Sequence, residues 1–155
     1  MINKSNKFIF FYPGNIKQKT GGYIYENNIF EYSKKNNNSI VFKELSENYP
    51  FPSNKDLKYL NNIVANLNSD KILIFDGLVL EGLAKAEYIL NNFKTIALIH
   101  HPLYLEFRGK KSDNFLDIAK KIYKKVDYFI VTSSDTKKLV SRKFNINSKI
   151  ISIVE

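Results

Sequence analysis

Apolar residues in this chain fall into short blocks of two alternating kinds. The first kind is unbroken and rich in β-branched and aromatic residues: Phe8-Ile-Phe-Phe-Tyr12, Ile40-Val-Phe42, Ile72-Leu-Ile-Phe75, Thr95-Ile-Ala-Leu-Ile99, Tyr128-Phe-Ile-Val131 and Ile150-Ile-Ser-Ile-Val154. Short continuous apolar runs bounded by turn residues suit strands buried on both faces of a sheet. The second kind recurs every three or four residues and gives one-sided stripes. Tyr25, Ile29 and Tyr32 predict a helix over 23–32, and Leu57, Leu60, Ile63, Val64 and Leu67 predict one after Ser53. Leu80, Leu83, Ala84 and Ala86 predict a helix over 78–90. Phe115, Ile118, Ala119, Ile122 and Val126 predict one after Ser112, and Leu139, Val140 and Phe144 one after Thr132-Ser-Ser-Asp135.

Local chemistry supports the boundaries. Pro13-Gly14, Asp76-Gly77 and Pro102 stop strands, because proline lacks an N–H and glycine frees the backbone. Ser53 is a helix N-cap with Asp56 in the capping-box position, and Ser112 is a second N-cap with Asp113 in the first turn. About six strands alternating with helices predict one α/β domain over 1–155. Its core is a doubly wound, Rossmann-like parallel sheet with right-handed crossovers and helices on both faces.

Size and composition change this picture little. The 155 residues, 44% hydrophobic and 25% charged, fit a single globular core. No apolar run approaches the roughly 20 residues that span a bilayer. The opening Met1-Ile-Asn-Lys-Ser-Asn-Lys7 lacks the apolar core of a leader peptide, so a cytoplasmic location is expected. The absence of cysteine excludes disulfides and thiolate metal sites, and two adjacent histidines make a structural zinc site improbable. The net charge of +9 comes almost wholly from lysine, since Arg108 and Arg142 are the only arginines. Specific base-edge and bidentate phosphate recognition favours arginine, so a sequence-specific nucleic-acid partner is not expected. Phosphorylated ligands or peripheral contact with an anionic membrane face remain compatible. The lysines of 120–125 read most simply as the solvated side of a helix.

Candidate chemistry gathers at the carboxyl ends of the strands, where ligands bind in open α/β sheets. His100 and His101 follow the fourth apolar run directly and precede Pro102. Imidazoles there can donate, accept or carry a proton near neutral pH, or one can simply complete a hydrogen bond while the other faces water. Gly21 and Gly22 follow the first strand and open a helix. That arrangement can hold an anion on unpaired N–H groups, or it can be an ordinary flexible turn. Neither the G-x-G-x-x-G nor the P-loop pattern is present.

Taken in order, Gly21-Gly-Tyr-Ile-Tyr-Glu26, Asp76-Gly-Leu78, His100-His-Pro-Leu103, Val131-Thr-Ser-Ser134 and Ile151-Ser-Ile-Val-Glu155 resemble the N-terminal half of GT-B glycosyltransferases of the retaining family 4 type. The resemblance implies an acceptor-binding domain that helps move a sugar from a nucleotide-sugar to a hydroxyl acceptor, glycan or lipid-linked. It places Gly21 and Gly22 near the donor diphosphate and a histidine, His100 or His101, near the transferred sugar, with His100 favoured. Tyr23, Asp76, Glu106, Arg108, Thr132 and Ser133 are expected to line the cleft. The nucleotide-sugar is a co-substrate, held chiefly by a second, C-terminal Rossmann domain with paired glutamates, which these motifs do not include. No metal or other cofactor is implied. The alternative is a non-catalytic α/β binding module, such as a receiver-like domain with Asp76 as phospho-acceptor. The first strand lacks the acidic pair that would hold magnesium there.

Overall fold

The computed structural model describes residues 6–18, 21–36 and 39–154. Parts of two expected loops, 19–20 and 37–38, the opening residues 1–5 and Glu155 of the closing motif lie outside the described residues. Six strands, β1 (Phe8–Pro13), β2 (Ile40–Leu45), β3 (Ile72–Asp76), β4 (Lys94–Ile99), β5 (Tyr128–Val131) and β6 (Ile151–Ile153), form one all-parallel sheet. Five helices connect them: α1 (Gly21–Lys35), α2 (Asn54–Ala65), α3 (Gly77–Gly82), α4 (Gly109–Ile122) and α5 (Ser134–Phe144). The expected α/β class and Rossmann-like winding are both present.

The strand order is β2-β1-β3-β4-β5-β6. The chain therefore steps one way from β1 to β2 and the other way at every later crossover. Right-handed crossovers put helices on opposite faces when the direction of travel reverses. So α1 lies alone on one face, where Phe30 packs edge-on against Phe42 of β2 at 5.0 Å. The other face carries α2–α5. There Ile9, Phe11, Leu73, Phe75, Ala97, Phe129 and Val131 of the strands share one core with Leu60, Val64, Leu80, Ala119, Ile122, Val140 and Phe144. On the α1 face, Ile74, Ile96 and Ile130 are only half-buried. The reversal between β1 and β3 leaves a crevice at their carboxyl ends, as in other doubly wound sheets of 2-1-3-4-5 order.

Three helices differ from the sequence reading. The glycine pair forms the first turn of α1, and its Tyr32 is 66% exposed while Glu26 and Ser33 are buried. The expected helix over 78–90 is α3 followed by two 3-10 turns, Leu83–Lys85 and Glu87–Asn91. Among its buried residues, Leu80, Leu83, Ala86 and Ile89 are spaced by three, with Val79 and Leu90 buried beside them. A 3-10 geometry keeps such a set on one side, whereas 3.6 residues per turn would carry Ile89 to the opposite side from Leu80. Helix α4 starts at Gly109, not Ser112, and Arg108 caps it without a side-chain bond. Ser112 instead donates its hydroxyl to the Tyr104 carbonyl at 2.8 Å, because the turn Leu103–Glu106 packs on α4. Helix α4 also ends before Val126, which follows a 3-10 turn, Tyr123–Lys125.

The expected capping box on α2 is formed: the Ser53 N–H donates to Asp56 Oδ2 at 2.8 Å, and the Asp56 N–H donates to Ser53 Oγ at 3.3 Å. Among the described residues no helix is long and apolar enough to cross a membrane.

Gly82 supplies a test of the packing around α3. A Cβ there would lie 2.6 Å from Cδ1 of the buried Tyr49 ring and 3.3 Å from Pro52 Cδ. Neither group is a free side-chain end that can swing away. Gly82→Ala is expected to destabilise the fold by about 1–3 kcal/mol through overpacking, read as a lower midpoint in urea unfolding.

Candidate functional site

One cleft of about 570 Å3 opens at the carboxyl edge of the sheet, beside the β1/β3 reversal. The connections after β1, β3, β4 and β5 contribute to it. Pro13 comes from the end of β1, Gly21–Glu26 from the start of α1, and Asp76, Gly77 and Leu78 from the β3/α3 junction. His100 and His101 follow β4, Leu103 and Glu106 belong to the next turn, and Thr132 follows β5.

The glycine pair and the imidazoles meet directly. A Cβ on Gly22 would sit 3.4 Å from both Cδ2 and Nε2 of His100, so the ring stands directly against the start of α1. The His100 ring also stands edge-on to Tyr25 at 5.4 Å, and the Tyr25 hydroxyl donates to the Val154 carbonyl at 3.0 Å. The His100 carbonyl accepts from the Thr136 hydroxyl at 2.9 Å, which ties the strand end to α5.

The two histidines are not equivalent. His101 lies at the rim, half-exposed, with Nε2 2.6 Å from Glu106 Oε1. His100 is turned inward, with Nε2 3.9 Å from Glu26 Oε1. Beneath it, Glu26 and Asp76 are 2% and 4% exposed. One ligand-type atom from each of Glu26, Asp76 and His100 lies within 4.8 Å of the other two. Asp76 Oδ1 accepts the Leu78 N–H at 2.8 Å and so caps α3.

This setting shifts all three groups in directions burial dictates. Removal from water pushes the Glu26 carboxyl up to about 7, although its hydrogen bond with Asp76 works the other way. Asp76 is pushed well above the carboxylate range by burial, then by the Glu26 charge, and by the same shared bond. Burial lowers His100 and favours the neutral ring, against the opposing pull of Asp76. Tyr23 is pushed to about 12 by burial and by the negative charges of Asp76, Glu26 and Glu47.

Of the residues expected at the cleft, Gly21, Gly22, Tyr23, Asp76, His100, His101, Glu106 and Thr132 line it. Ser133 does not. Its hydroxyl accepts the Thr136 N–H at 3.1 Å as the N-cap of α5, so it is committed to the helix. Arg108 is also outside the lining, exposed at the start of α4. The sequence reading missed Tyr25 and Glu26 as site residues, although both stand in the quoted glycine motif. Position 26 falls one helical turn beyond Gly22 on the same side of α1, and a glutamate on the buried side of a helix was the available signal.

A third buried carboxyl supports the histidine loop. Glu81, 1% exposed, accepts from the Tyr123 hydroxyl at 2.7 Å and from the Leu103 N–H at 3.3 Å.

Fold and site together define a doubly wound α/β protein with a carboxyl-edge cleft floored by two carboxyls and an imidazole. No protein-family model matches the chain, and no curated protein sequence matches it either.

Burial raises the Glu81 carboxyl from its ordinary 4.5 to about 7. The folded state then holds a proton that the unfolded chain has released, so the Glu81 contribution to stability is full below pH 4.5 and is lost as pH rises through about 7. Glu81→Gln keeps both accepted bonds and is expected to flatten that fall by up to about 3 kcal/mol. Urea unfolding of both proteins across this pH range reads the difference.

Proposed function

We propose that this chain is the acceptor-side domain of a GT-B type glycosyltransferase, which moves a sugar from a nucleotide-sugar to a hydroxyl acceptor, glycan or lipid-linked. The observation that carries the reading is the meeting of the Gly21-Gly22 helix start and His100 in one cleft at the sheet's reversal point. Together these groups meet two needs of sugar transfer. The leaving diphosphate gathers charge, which the unpaired N–H groups and dipole of the 15-residue α1 can offset at its N-terminus. The migrating sugar needs an orienting polar contact, which the partly exposed His100 ring can supply. Tyr25 stands edge-on to that ring, and the Thr136 hydroxyl ties the His100 carbonyl to α5. The described residues form one sheet, so the nucleotide-binding domain is a further segment or a separate chain.

A second reading takes support from the strand order and from the place of Asp76 at the end of β3. These fit a receiver-like module phosphorylated on Asp76. Against it, Asp76 is buried and already bonded to the Leu78 N–H, and burial raises its carboxyl. Acetyl phosphate is expected to leave Asp76 unlabelled, as read by mass spectrometry of the intact chain and its peptides.

The transfer reading is tested by titrating 15N-labelled protein with UDP- and GDP-sugars in EDTA. Shifts are expected at the amides of Gly21, Gly22 and Tyr23. Perturbation confined to other parts of the molecule rejects the assignment. With a donor-binding domain supplied, His100→Ala is expected to lower kcat by about a hundredfold or more, and an unchanged rate removes His100 from the reaction.

A further inference from the structure

We propose that Glu26, Asp76 and His100 form a binding site for one divalent first-row cation, of the Mn2+ or Zn2+ kind, in the floor of the cleft. The inference does not depend on the sugar-transfer reading.

The first argument is unmet bonding. Glu26 and Asp76 are almost fully buried, and both reach towards His100. Part of this cluster is unsatisfied. No donor among the described residues reaches Glu26 Oε2, and His100 Nε2 is buried with no hydrogen-bond partner. Buried polar atoms normally find partners, and buried carboxylates are paired or hold metals. A proton completes one contact, whereas a doubly charged ion completes all three and balances two carboxylates.

The second argument is geometry. The three ligand-type atoms lie within 4.8 Å of one another, with Glu26 Oε1 and His100 Nε2 at 3.9 Å. Ligands about 2.1 Å from a shared ion stand roughly 3–4 Å apart, so the site closes on an ion with a small side-chain adjustment. Three protein ligands leave further coordination positions. All three residues line the cleft, so those positions open towards it.

The third argument is donor chemistry and support. Two carboxylate oxygens with one imidazole nitrogen, and no sulfur, suit Mn2+ or Zn2+ better than Mg2+, which favours an all-oxygen shell. The ligands are also held in place. Asp76 is fixed by the Leu78 N–H, His100 by Tyr25 and by the Thr136 bond to its carbonyl, and Glu26 by its position in α1.

The test uses the whole chain with Mn2+ and Zn2+ as probes and no nucleotide. Equilibrium dialysis is expected to give one ion per chain. Glu26→Gln and His100→Ala, each verified as folded by circular dichroism, are each expected to weaken Mn2+ binding by more than about tenfold. Wild-type protein gives an independent reading, since paramagnetic Mn2+ should broaden the amides of Gly22, Gly77 and Leu78 before those of α2. Uptake of neither ion overturns the proposal. So does broadening centred on the His101–Glu106 pair, or binding that both substitutions leave intact. Because no donor is present, these outcomes are separate from the fate of the transfer reading.

Discussion

Glu26 and Asp76 stand side by side out of water, and the character of the cleft follows from that contact. Two ionised carboxylates at this range repel strongly in a poorly solvating interior, so the pair keeps a counter-charge, whether proton or cation. The same burial lowers the imidazole above them, against the pull of Asp76. The carboxyls belong to different elements, α1 and the β3/α3 junction. Their contact therefore clamps the first crossover helix to the centre of the sheet, at the place where the chain reverses its direction of travel.

That reversal explains why chemistry concentrates at this edge. Crossovers leaving β1 and β3 diverge to opposite faces, so no connection closes the space between their carboxyl ends. The start of α1 and the end of β4 fill its two sides. The His100 ring packs against Gly22, 3.4 Å from where a Cβ would stand. Glu81 does comparable work one layer out, holding Tyr123 of the core and the backbone of Leu103 together. Both histidine neighbours, the turn behind and the helix in front, are thus fixed by buried acids.

Much of the fold was legible because unbroken apolar runs mark parallel strands plainly. All six strands lie where such runs stand, and β2 only extends further, to Leu45. The stretch after β3 was harder to read. One series of its buried residues, Leu80, Leu83, Ala86 and Ile89, is spaced by three, and read from sequence the stretch passes for a single helix. Ser112 was misplaced because a tertiary partner, the Tyr104 carbonyl, outcompeted the local capping role. For the cleft, residues adjacent in sequence were legible, namely the glycine pair and the twin histidines. The carboxyl floor was not, because its members lie 50 residues apart and meet only through the crossover. No spacing rule links positions 26, 76 and 100.

Helix α1 is anchored unlike its counterparts. Its fully buried residues are Glu26 and Ser33, whereas α2, α4 and α5 each bury large apolar side chains. Elements with little buried apolar surface detach at lower free energy than the rest of a domain. Detachment of α1 would withdraw Gly21, Gly22, Tyr25 and Glu26 from the cleft in one event. Assembly of the pocket is in that sense a local folding reaction, and whatever ligand bridges α1 to the sheet also completes the tertiary structure of the chain.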